Sequence, residues 1–131
     1  MNKKDLIREY KETRRPMGVF QIRNLTNDRL FIGSSTNLEG IFNRHRFQLV
    51  ANGHPNKALQ ADWNALGAES FAFEVLEELD HREGLDDRKE LEFLEDLWLE
   101  KAAPYGERGY NEPKKSREER LRMIADKNRK V

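Results

Sequence analysis

The chain has 131 residues, 37% charged and 37% hydrophobic, with 24 Lys and Arg set against 24 Asp and Glu. That length suits one domain with a modest core and solvated appendages, and it excludes two ordinary domains. No cysteine is present, which excludes disulfides and zinc-thiolate sites; with a polar, charged N-terminus unlike a signal peptide and no apolar run near the roughly 20 residues that span a bilayer, the sequence reads as cytoplasmic.

Residues 3–13 place Leu6, Ile7 and Tyr10 on one side of a short helix that Pro16 stops. From Gly18 to Arg23 the chain alternates, with Val19 and Gln21 toward one face and Phe20 and Ile22 toward the other. Asn24 to Asp28 supplies turn chemistry and Arg29 to Gly33 a second strand, so the two strands form an antiparallel hairpin. Ser35, Thr36 and Asn37 offer N-caps to a helix carrying Leu38, Ile41, Phe42, His45 and Leu49, closed at Asn52-Gly53. His54-Pro55-Asn56 opens the next helix, with Leu59, Trp63 and Leu66 on one face and Gly67 as its stop. Ser70 to Leu79 reads as a third strand. Asp86 to Lys101 is the longest helix, with Leu91, Leu94, Leu97 and Trp98 as its apolar face; Pro104 to Gly106 ends it, and Gly109-Tyr110-Asn111 makes a compact loop. The order is β-β-α-α-β-α with an extra helix at each end: a small α+β domain, a three-stranded sheet flanked by helices.

The neutral total hides an uneven distribution. Residues 1–16 form a basic arm, 17–111 the domain, and 112–131 a charged, basic helix or tail in which Ser116 to Glu119 has the form of a capping box. The stretch 68–112 between them is strongly acidic. Basic arms suit phosphates, although charged helices also need solvated faces.

Two residues stand out on chemistry alone. On a helical wheel started at Leu91, Glu95 falls at roughly 40°, between Trp98 and Leu99, inside the apolar face. A carboxylate there needs an ion partner, hydrogen bonds or a metal, and the plain alternatives to a functional role are a place at the edge of the stripe, with the carboxylate reaching water, or an arginine partner. His45 lies in the apolar stripe of its own helix, and neither His54 nor His81 stands at metal-ligand spacing from it.

Gly18-Val19-Phe20, followed by Phe31-Ile32-Gly33, resembles the paired signature of the GIY-YIG endonuclease superfamily. The likeness continues through Gly33-Ser34-Ser35, Asn43-Arg44-His45, Asn56 to Gln60, Phe71 to Glu78, Glu95 to Trp98 and Gly109 to Asn111, covering about residues 17–111. It is most similar to the bacterial LuxR-like or ArsR-like branch. The resemblance implies phosphodiester hydrolysis with one divalent ion, Mg²⁺ or Mn²⁺, held by a glutamate of the last helix. A hairpin tyrosine helps to activate water, and an arginine of the first helix steadies the phosphate. A carboxylate suits a hard cation, a phenol can pass a proton, and a guanidinium offers a fork of donors to growing negative charge.

Matched position by position, the metal glutamate falls on Glu95, the loop asparagine on Asn111 and the helix histidine on His45. The two tyrosines fall on Phe20 and Phe31, and the arginine on Ile41, so two hydroxyls and one charge are missing. Candidate substitutes are Arg44 one turn after Ile41, with Arg46, Arg23 and Arg15 as further cations, His45 as a base with an ordinary value near 6.5, and the hydroxyls of Tyr105 and Tyr110. Expected nucleic-acid contacts are Arg23, Arg44, Arg46, Lys57, Lys114 and Lys115. Three readings follow: a nuclease-like domain kept for binding DNA with cleavage lost or weak, an active Mg²⁺-dependent endonuclease with a rearranged site, and a module that binds a partner protein or a second copy of itself.

Overall fold

Strand β1 (Met17–Asn24) is apolar on both faces, and the fold is built around that fact. The structure, a computed structural model, describes residues 2–3, 15–114 and 117–129; the helix expected over 3–13 lies, but for Lys3, outside them. β1 is the middle strand of an antiparallel sheet of order β2-β1-β3, between β2 (Leu30–Ser35) and β3 (Phe71–Leu79). Val19, Phe20 and Ile22 are 0%, 1% and 0% exposed, so both faces of β1 are buried at these positions, while Gln21 and Arg23 farther along stay half-buried.

Each face has its own cover. Phe20, Ile22 and Phe71 pack with Leu38 and Leu49 of α1 (Leu38–Val50) and with Leu59 and Trp63 of α2 (Lys57–Leu66). On the opposite face Val19 and Ile32 pack with Leu94, Trp98 and Leu99 of α3 (Asp87–Ala102). The α+β order expected from the sequence is therefore present, as three layers. A further helix, α4 (Arg117–Arg129), follows the domain, with Leu121, Met123 and Ile124 exposed. Among the described residues no helix is long and apolar enough to cross a membrane.

The helix starts are where side-chain caps predict them. Asn37, Asn56 and Asp86 each accept a backbone N–H of the first turn of α1, α2 and α3, and Gly67, at φ 87°, closes α2. Two details differ from expectation. β2 runs on through Ser34 and Ser35, because Val19 and Gly18 of β1 pair with them. Leu97, expected on the apolar face of α3, is exposed: the buried stripe centres on Leu91, Trp98 and Leu99, and Leu97 stands roughly 120° away around the helix. Close approach explains two glycines. A Cβ on Gly33 would come within 2.8 Å of the Phe20 ring, and one on Gly18 would collide with the Glu77 carbonyl.

The loop after α3 straps the edge of the sheet. The Tyr110 N–H donates to the Leu30 carbonyl at 2.8 Å. Asn111 then imitates a strand: its amide oxygen accepts from the Ile32 N–H and its amide nitrogen donates to the Ile32 carbonyl, both at 2.8 Å. The Tyr110 hydroxyl donates to Asp62 at 2.6 Å and accepts from the Asn24 amide at 3.0 Å. Arg29 donates to the same Asp62 oxygen at 2.9 Å and lies over the Tyr110 ring. Burial, reinforced by the bond to Asp62, pushes the phenol up to about 12. The Tyr110 hydroxyl is thus committed to the fold and is no stand-in for a hairpin tyrosine. Tyr110→Phe leaves the Asn24 amide and Asp62 short of a partner; the expected loss is about 1–3 kcal/mol, read by urea denaturation at neutral pH.

Candidate functional site

Phe20 and Phe31 of the hairpin pack on the α1/α2 face of the sheet, while Glu95 stands on α3, the helix that covers the opposite face. On the α1/α2 face, Phe20 sits edge-on to Phe42 at 5.5 Å between ring centres, with Phe31 at 6.5 Å and His45 at 5.5 Å. Phe31 meets His45 at 5.5 Å and His54 at 6.2 Å. Ile41 is half-buried and packs against the same cluster. The three positions that depart from the family pattern therefore share one apolar cluster.

Two imidazoles close it. The His45 and His54 rings stack at 5.0 Å, and His45 Nδ1 lies 2.7 Å from His54 Nε2. The Asn56 backbone N–H donates to His54 Nδ1 at 3.0 Å. In the neutral ring the His54 proton is therefore on Nε2, which donates to His45 Nδ1, and the His45 proton is on its own Nε2. Burial, then His54, then the Arg44 charge hold His45 down at about 4; burial also lowers His54. His45 is thus a weaker base than the free imidazole expected from the sequence. His54 was set aside on spacing, and the turn between α1 and α2 brings it to His45.

Glu95 stands on the other face. Its side chain is 18% exposed, and Lys114 donates to it at 3.0 Å and to Asp96 at 2.7 Å. The partner is a lysine from beyond the strap, where the sequence offered an arginine as one alternative. Glu95 opens into a groove of about 300 Å³ between the end of β2 and α3, lined also by Ser34, Ser35, Thr36, Arg88, Leu91 and Glu92. Arg88 was missed in the sequence, yet it lies seven residues before Glu95, two turns along one face of α3. Carboxylate and hydroxyl oxygens suit a hard divalent cation that keeps waters in its remaining positions. Among the described residues no three His, Asp or Glu side chains cluster as a metal cage. The groove accordingly fits a cation held through Glu95 and water, with Lys114 moved aside.

The expected basic contacts divide. Arg44 and Lys57 are exposed, and Arg46 is exposed with its guanidinium 4.5 Å from the centre of the Phe73 ring. Arg23 is taken by Glu74 at 2.8 Å and Asp28 at 3.7 Å, and Lys114 by Glu95 and Asp96. Lys115 lies outside the described residues. Asn111, expected in the site, has both amide atoms bonded to the Ile32 backbone.

The sequence model of one protein family, the GIY-YIG catalytic domain, matches residues 16–111. Among solved structures, the catalytic domain of the homing endonuclease I-TevI is similar with a TM-score of 0.63 and 26% identity, over 75% of this chain and 99% of that one. A mutant of the catalytic domain of intron endonuclease I-TevI is similar in fold, with a TM-score of 0.62 and 23% identity over 77% and 97% of the two chains. No curated protein matches the chain.

Two expectations follow from this geometry. Between about pH 6.5 and about 4 the unfolded chain takes up a proton at His45 that the folded chain does not. That contribution to stability is whole above pH 6.5 and is lost as pH falls toward 4. It amounts to roughly 2–3 kcal/mol. Urea midpoints measured across that window fall for the natural protein, and His45→Gln, which keeps an acceptor for His54, flattens the fall. At the groove, Lys114→Ala frees a Glu95 oxygen and tightens Mn²⁺ binding by about two- to fivefold, the worth of a half-exposed ion pair. Calorimetric titration reads this, and Glu95→Ala removes the binding.

Proposed function

The chain belongs to the GIY-YIG catalytic-domain family, and from that premise we propose that it is a nuclease-fold domain that binds DNA with its standard cleavage chemistry broken. The observation that carries this reading is the state of positions 20, 31 and 41. Phe20 is 1% exposed, and Phe31 and Ile41 pack into the same cluster. A phenyl ring has no proton to pass, and an isoleucine has no donor for a phosphate. Loss of one preorganised donor costs about 10²–10³ in rate, and here three groups of one constellation are absent. The neutral His45–His54 pair completes a hydrogen-bonded cap over these rings.

DNA binding draws on other residues. Arg44, Arg46 and Lys57 present exposed cations on α1 and at the start of α2. The basic arms at 1–16 and 112–131, with Lys115, add phosphate-neutralising charge. Arg23 and Lys114 contribute only by exchanging a carboxylate for a phosphate. Asn111 holds β2 in place beside the groove. The ordered motifs extend the reading to the bacterial LuxR-like or ArsR-like branch of the family.

A second reading is an active endonuclease with a rearranged site, and the shared groove of Glu95 and Arg88 favours it. Mg²⁺ or Mn²⁺ bound at Glu95 would stabilise charge on a phosphate oxygen. In that reading Glu95 orients the ion and Lys114 is displaced from the carboxylate.

One assay separates the two. The natural protein, Glu95→Ala and Ile41→Arg are incubated with Mg²⁺ or Mn²⁺ and a panel of single-stranded, duplex and branched DNA, while binding is followed in parallel. The expected outcome is binding without cleavage by the natural protein. Cleavage that disappears in Glu95→Ala would establish the rearranged enzyme instead.

A further inference from the structure

The groove beside Glu95 holds a cation that no ion pair engages among the described residues. Arg88, Glu92 and Glu95 share one face of α3, opposite Ser34 and Thr36. From Arg88 to Glu95 is about 10 Å along the helix. Among the described residues the Arg88 guanidinium makes no ion pair or side-chain hydrogen bond. Glu92 is four residues on, but an arginine N-terminal to a glutamate is the weaker orientation for such a pair, and the two are not bonded. The Glu95 charge is met by Lys114.

Other donors near the groove are spoken for. The backbone N–H groups of Arg88 and Lys89 already donate to the Asp86 side chain. The Ser35 hydroxyl donates to the Asn37 carbonyl and accepts from its N–H. What remains for an anion is the Arg88 fork, with the Ser34 and Thr36 hydroxyls across the groove. A guanidinium fork matches two oxygens of a phosphate, which a lysine cannot do. On the α1 side Ile41 lies against the core and the Arg46 guanidinium lies over Phe73, which leaves the exposed Arg44 as the cation of that helix.

We propose that Arg88 is the phosphate-binding residue of this groove, gripping a DNA strand there with the Ser34 and Thr36 hydroxyls as secondary donors and presenting it to Glu95. The inference rests on the DNA-binding reading above and adds to the cations of α1 and α2 a phosphate contact on the α3 side of the sheet.

The test is fluorescence anisotropy of labelled single-stranded and duplex oligonucleotides with the full chain, in EDTA and again in Ca²⁺, over a series of salt concentrations. Arg88→Ala is compared with Arg88→Lys and with Lys89→Ala, which removes an equal charge from the next position, outside the groove lining. Arg88→Ala is expected to weaken binding about tenfold and to reduce the slope of log affinity against log salt by about one. Arg88→Lys keeps the slope and recovers only part of the affinity, and Lys89→Ala changes affinity by less than about twofold, the weak effect of an exposed charge. Thermal midpoints stay together, since among the described residues the Arg88 side chain holds no ion pair or hydrogen bond in the fold. If the natural protein binds and Arg88→Ala matches it, or falls no further than Lys89→Ala, the assignment of Arg88 is overturned and DNA binding stands. If the natural protein binds neither oligonucleotide, the DNA-binding reading falls and the assignment with it.

Discussion

The rest of the structure depends on β1 being buried on both faces. Val19 on one side and Phe20 and Ile22 on the other are withdrawn from water, and burying side chains of this size is worth roughly 1.5–3 kcal/mol each. A three-stranded sheet with one covered face would leave one of those sets exposed. Helices are therefore needed on both sides, and the two sides become different places. α1 and α2 enclose an aromatic cluster, while α3 leaves a groove at the end of β2. β2 serves both: Phe31 faces the cluster, Ile32 the α3 core, and Ser34 and Ser35 continue the strand into the groove.

The aromatic side has become a packing site. Phe20, Phe31, Phe42 and His45 meet at ring distances of 5.5–6.5 Å, where aromatic pairs add stabilisation beyond buried area. The histidine pair belongs to the same economy of contacts. His54 is fixed by the Asn56 N–H, and through its Nε2 it fixes the tautomer of His45. A protonated His45 would set two N–H groups against each other at 2.7 Å, which agrees with the lowered value of that ring. The groove on the other side keeps its charged groups: a half-withdrawn carboxylate held by Lys114 and, two turns away, a guanidinium with no ion pair among the described residues.

The strap of Gly109 to Asn111 keeps both sides in register. β2 is an edge strand, and its outer N–H and C=O groups would otherwise be open to another chain. The loop occupies them: Tyr110 with Leu30, and Asn111 with both backbone groups of Ile32. The Tyr110 hydroxyl extends the tie to Asp62 of α2 and Asn24 of β1. Asn111 thus has a physical explanation within the fold, and Lys114 follows closely enough after it to reach Glu95.

The sequence by itself determined the element order, the caps and the family. Those signals are local: Asn37, Asn56 and Asp86 cap their own helices, strand alternation in β1 is read residue by residue, and the paired hairpin triplets lie a few residues apart. The loss of hydroxyls at Phe20 and Phe31 was equally legible, because each depends on one residue. Tertiary structure alone decided the partners. His54 reaches His45 only because a turn folds one helix end onto another. Lys114 rather than an arginine meets Glu95 because the strap delivers it there. Arg88 joins Ser34 only where α3 crosses the end of β2. Leu97 was misplaced for the same reason: a helical wheel gives angles between side chains, but the direction in which the sheet lies is set by packing against Val19 and Ile32, which the helix does not encode.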